Sequence, residues 1–188
     1  MDRRTLLRSF AAAPVLQFGA ARAQGAWPQR NINIVVGFPP GGQADFAARP
    51  IAAALQKQLN RGVTVENKAG AGGKIAHAFV ANAEPDGYTL LCTLPSLAVL
   101  PEADRLFERK VGYEVTDLLP VARILADPSL LVVREDAPWK TAQDYIAALK
   151  AAPRDTIPYG SSGAYGTLHI AMEMFAVESG LRPLHVPF

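Results

Sequence analysis

The chain has 188 residues, 49% apolar and 19% charged, with a formal charge of +2 and a single cysteine. This composition is globular, and it excludes a disulfide scaffold, a cysteine metal cluster and a low-complexity or repeat architecture. The weak positive charge is carried by the first residues, so a nucleic-acid surface is excluded too.

Met1–Ala23 reads as an export signal. Arg3, Arg4 and Arg8 precede the short apolar run "AAAPVLQFGAA", which ends in the small-x-small cleavage pattern Ala21-Arg22-Ala23. The Arg3-Arg4 pair resembles a twin-arginine signal, and an ordinary secretory signal fits as well. A mitochondrial presequence fits less well, because the cleavage pattern and the short apolar core favour bacterial export. With the four arginines and one aspartate of this segment set aside, the formal charge becomes −1. Gln24 stands where a lipoprotein would need cysteine, and no later apolar run is long enough to cross a membrane as a helix.

About 165 residues remain, enough for one core or two small lobes. "INIVVGF" (32–38) predicts a buried strand. Ala47, Ile51, Leu55 and Leu59 recur at helical spacing and predict an amphipathic helix from Gln43 to Asn60, kinked or starting late at Pro50. "VTVEN" predicts the next strand, "KIAHAFVANA" a helix, Pro85-Asp86-Gly87 a turn and "YTLLC" a third strand. The alternation implies parallel strands joined by right-handed crossovers.

After a looser stretch, "VARILA" and "SLLVVRE" predict two more strands. "TAQDYIAALKAA" predicts a helix capped by Thr141, "TIPYG" a strand, "TLHIAMEMFAVESG" a helix ending at Gly180, and "LHVPF" a last strand. The β-α pattern restarts near Asp127. The expected division is a first α/β lobe over 24–126 and a second over 127–188. A doubly wound lobe rarely stops on a fresh strand, so the second lobe reads as incomplete.

Three loops each follow a strand and precede a helix, where open α/β sheets bind ligands and helix starts favour anions. In "FPPGGQAD", Gly41 and Gly42 offer bare N–H groups, Pro39 and Pro40 stiffen the approach, and Asp45 caps the helix or reaches a ligand donor. A plain N-cap with a glycine turn reads equally well. "KAGAGGKIA" lacks the Ser or Thr of a Walker loop and the last glycine of a dinucleotide fingerprint, and reads as a tight turn. "GSSGAYGTLHIA" has Ala164 where a nucleophile elbow wants glycine, which leaves a secreted hydrolase using Ser162 as a weaker alternative. His169 and Glu173 are one turn apart, but without a third ligand they read as a surface or packing pair.

Together "WPQRNINIVVGFPPGGQADFAAR", "VTVENKAGAGGKIA", "EPDGYTLL" and "GSSGAYGTLHIAMEMF" resemble the tripartite tricarboxylate transporter substrate-binding receptors, the Bug proteins, from about Trp27 to Phe188. The resemblance implies a two-lobed, type II periplasmic binding fold of the Venus-flytrap kind. It implies a small carboxylate held between the lobes, a membrane permease or a sensor protein as partner, a monomer when complete, and no cofactor or metal. Carried over residue by residue, it implies ligand contacts from Phe38, Pro40, Gly41, Gly42 and Asp45. Thr93 and Ser96 belong to "CTLPSLAV", a loop that is more polar in the family. Ser161, Ser162, Gly163, Thr167 and His169 come from the second lobe. Family members continue past "HVPF", so the resemblance also implies missing sheet partners, weak binding or instability, or a remnant without function.

Overall fold

The computed structural model describes residues 26–188; the expected export signal lies outside the described residues. The first unit is a three-stranded parallel sheet in the order β2-β1-β3, with β1 Ile32–Val36, β2 Val63–Asn67 and β3 Thr89–Cys92. Ile32 pairs with Val63 on one side, and Asn33 pairs with Thr89 on the other. The central strand is apolar throughout because both of its faces are covered. Ile32, Ile34 and Val36 pack with Ala44, Ala48 and Ala52 of helix α1, Gln43–Leu59. Val35 points the other way, onto Ala76 and Val80 of α2, Lys74–Ala81.

Helix α1 does not start late. Pro50 sits inside it on the exposed side, so the Phe46 carbonyl that loses its helical donor belongs to a residue that is itself exposed. Ile51, Leu55 and Leu59 pack against the core as their spacing requires.

One element went unread in the sequence. Ser96–Leu106 forms a helix, α3, where a loop was expected, and it carries Pro101 in its interior. Its buried positions, Ser96, Leu100, Ala103 and Asp104, follow the helical period.

The second unit holds β4 Pro158–Ser161 beside β5 Leu184–Pro187, parallel, with α5 Thr167–Ser179 between them in the chain. Before them stands α4, Ala142–Ala151. Its cap is as expected, since Thr141 accepts from Asp144 N at 3.1 Å while Thr141 N donates to Asp144 Oδ2 at 2.9 Å. Tyr145, Leu149, Tyr159, Met172, Ala176 and Leu181 form the core.

The strands expected at 121–126 and 129–135 are not formed. Residues 119–134 have no regular structure, and Leu119, Val121, Leu130 and Val132 are exposed. A strand exists only as one side of a ladder, and no described segment pairs with this run.

Candidate functional site

The loop after β1 is set from below and bare on top. Phe38 is buried, and its carbonyl accepts from Asn67 Nδ2 at 3.0 Å. Pro40 and Gly41 are exposed, and Gly41 turns the chain at φ +80°. Gly42 caps α1 in extended backbone with no side-chain cap. The first helical bond is Phe46 N to Gly42 O at 2.8 Å, so the N–H groups of Gln43, Ala44 and Asp45 have no acceptor among the described residues. These aligned donors stand at the positive end of the helix dipole, where negative charge is favoured.

The buried Asp45 carboxylate is occupied within the turn itself. Its Oδ2 accepts from Gly41 N at 2.8 Å and from Arg49 Nε at 2.9 Å. Its Oδ1 accepts from Arg49 Nη2 at 2.8 Å and Asn67 Nδ2 at 2.9 Å. Four donors fill the carboxylate, so it ties down the turn and offers nothing to an anionic ligand. The Arg49 guanidinium, then the Gly41 N–H and Asn67, hold its pKa well below the usual carboxylate range. The tie therefore persists above that range and is lost only in strong acid.

Thr93 and Ser96 are turned inward too. Tyr113 donates its hydroxyl to Leu97 O at 2.8 Å, so it accepts from His77 Nδ1 at 3.0 Å. That fixes the neutral tautomer, and Nε2 accepts the Thr93 hydroxyl at 2.5 Å. His77 is fully buried, and desolvation depresses its pKa from 6.5 to about 4. Ser96 is fully buried and donates to Gly72 O at 2.8 Å.

The loop after β4 meets the first unit here. Thr167 Oγ1 accepts from Ser96 N at 3.1 Å, so a side chain of the second unit caps α3 of the first. Gly163 lies so close to Gly72 that a Cβ added to it would be 3.2 Å from the Gly72 nitrogen. Helix α5 repeats the pattern of α1: Gly166 is an extended cap without a side-chain bond, and the first helical bond is Ile170 N to Gly166 O at 3.0 Å. Among the described residues the N–H groups of Thr167, Leu168 and His169 thus have no acceptor, and the Thr167 hydroxyl, which accepts from Ser96 N, retains a proton to donate.

The remaining expected residues divide. Ser162 is exposed and has no hydrogen-bond partner among the described residues. The histidine that a Ser162 nucleophile would require, His185, instead places Nε2 2.7 Å from Ser161 Oγ, and Ser161 is buried. His169 Nδ1 accepts from Tyr165 N at 2.8 Å, and its Nε2 lies 3.7 Å from Glu173 Oε1. No group of three metal-ligating side chains exists among the described residues.

The profile of the tripartite tricarboxylate transporter receptor family matches residues 47–188. The chain belongs to this receptor family. It is 37% identical over 182 residues to the UPF0065 protein in the gbd 5'region of Cupriavidus necator, covering 95% of this chain and 54% of that protein. The receptor fold resembles that of Rpa4515 from R. palustris, solved with adipate, at 32% identity and a TM-score of 0.76, over 86% of this chain and 53% of that one. It also resembles MatC from Rhodopseudomonas palustris, solved with bound malate, at 31% identity and a TM-score of 0.73, over 86% and 54% of the two chains. The chain thus has the α/β fold of the periplasmic binding proteins in its family, and it spans about half the length of the relatives it matches.

Several residues that shape these loops had no signal in the sequence. His77 lay in an apolar helical run, and Asn67 looked like a strand end. Tyr165 and His185 gain their roles only through partners in other elements. The four consecutive positive φ angles from Gly70 to Gly73, with Ala71 at +49°, were legible as a tight turn.

Proposed function

We propose that the chain is a receptor that captures a small carboxylate outside the cytoplasm, after export through Met1–Ala23. It would pass the ligand to the permease of a tripartite tricarboxylate-type transporter or to a sensor protein. The observation that carries this reading is the pair of uncapped helix starts at α1 and α5. Each follows a glycine loop at the carboxyl end of a parallel strand. Relatives of this fold have been solved with adipate and malate, both dicarboxylates, and two helix starts suit two carboxylate groups.

In this reading the two units are lobes, 24–126 and 127–188, and the ligand sits between the "PGG" loop and the "GSSGAYGT" loop. Direct donors are backbone N–H groups behind Gly41, Gly42 and Gly166, with the hydroxyls of Thr167 and Ser162. Phe38, Asp45, Thr93 and Ser96 support the loops from behind. Binding energy goes into populating the closed state.

Thermal melting of the purified chain against malate, adipate and their neutral diamides tests this. Malate or adipate at a hundredfold excess over Kd is expected to stabilise the chain by about 2.7 kcal/mol, while the diamides do nothing. Equal shifts with acids and diamides, or no shift with any acid, would reject the reading.

A further inference from the structure

His169 occupies a buried junction that connects the second glycine loop to the first unit. Its Nδ1 accepts the backbone N–H of Tyr165 at 2.8 Å, and its side chain is only 12% exposed. Tyr165 is a non-glycine residue at φ +59°, in the left-handed region, so this bond helps hold a backbone conformation that the side chain disfavours. The Tyr165 ring crosses to the first unit. It lies 5.3 Å from Phe107, and the Arg109 guanidinium stands over both rings, 5.0 Å from Phe107 and 5.7 Å from Tyr165. Two residues further on, Thr167 caps α3. One imidazole thus sets a loop whose Tyr165 and Thr167 side chains both contact the first unit.

We propose that His169 is a positioning residue that holds the second glycine loop against the first unit through the Tyr165 N–H, and that its protonation releases that loop. The proposal rests on the receptor reading for its consequence: the cleft closes on a carboxylate at neutral pH and opens in acid. The chemistry is a clash of donors. An imidazolium carries a proton on Nδ1, so two N–H groups would then face each other where one donor meets one acceptor now.

The groups around His169 set the direction of its titration. On β5 the His185 ring stacks on it at 3.8 Å and 10°. On β4 the Tyr159 ring lies 6.4 Å away, and its hydroxyl donates to Glu173 at 2.6 Å. Glu173, on the same helix, is the one carboxylate beside Nε2 among the described residues, at 3.7 Å, and it is half exposed. Burial and the second imidazole lower the His169 pKa, and Glu173 opposes them. A depressed pKa means that the neutral form belongs to the intact junction, which is lost as pH falls through that value.

Spin labels on Lys57→Cys and Lys150→Cys, in a Cys92→Ser background, report the distance between the units without any ligand. One short-distance population is expected at pH 7.5, and a longer or broader one at pH 5. His169→Asn, whose carbonyl accepts the Tyr165 N–H but does not titrate, is expected to keep the short distance at both. A distribution that ignores pH, or a pH response that persists in His169→Asn, would overturn the proposal. In the unmodified chain, ¹⁵N spectra give an independent reading. The Tyr165 amide should shift with the His169 midpoint, and an amide indifferent to that titration would also overturn it. Failure of malate to bind would reject the receptor reading alone and leave this junction standing.

Discussion

Gly163→Val is expected to abolish tight carboxylate binding while leaving the chain folded. A Cβ at this position would lie 3.2 Å from the nitrogen of Gly72 and 3.4 Å from its Cα, both backbone atoms with no rotamer to give. Gly163 also sits at φ +118°, where a β-branched residue is strained whatever space it has. Local strain of this kind costs about 1–3 kcal/mol, and the clash adds to it, so affinity should fall by roughly 100-fold. The hydrophobic cluster of the second unit, around Tyr159 and Met172, does not include the loop, so the chain should still melt cooperatively, at a somewhat lower temperature that reflects the local strain. Calorimetric titration with malate beside a thermal melt checks both halves. Unchanged affinity would mean that the approach of Gly163 to Gly72 plays no part in binding.

The largest expected effect on stability is at His77. The neutral ring is buried among Thr93, Tyr113 and the glycine turn, and its pKa falls from 6.5 to about 4. The native state therefore binds fewer protons than the unfolded chain between those two values, so stability falls as pH drops through that window. A shift of this size corresponds to about 3 kcal/mol, complete once the pH is below the folded value. His77→Leu keeps the volume, leaves Tyr113 its bond to Leu97 O, and cannot titrate. It should cost about 1–2 kcal/mol at pH 7 for the two lost hydrogen bonds, and its stability should decline less steeply toward pH 4. Urea denaturation of both proteins at pH 7, 5 and 4 measures the difference. Parallel declines would place the acid sensitivity elsewhere.

The elements most legible in the sequence were those whose reasons are local. "INIVVGF" could only be a strand covered on both faces, and Thr141 with Asp144 wrote a capping box into four residues. Helix α3 was hidden because Pro95 and Pro101 bracket its first turns and argue locally against a helix. The run 121–135 has strand composition, but a strand needs a neighbour, and composition cannot supply one. The glycine loops of the candidate site were readable, because glycine marks where a backbone must turn or be approached. The side chains on them were not. Asp45 read as a helix cap or a ligand contact, and the folded chain surrounds its carboxylate with Arg49, Asn67 and Gly41. Thr167 serves as the cap of a helix start 71 residues away in sequence, a partnership that only the folded arrangement creates.

Two uncapped helix starts, α1 and α5, are expected to receive the negative charge of one ligand. Isothermal titration of the chain with malate and with dimethyl malate tests it most directly, since the two differ in charge and share a skeleton. Saturable binding of malate that weakens with added salt is expected, with no detectable binding of the diester. Equal binding of the two, or tighter binding of the diester, would contradict it.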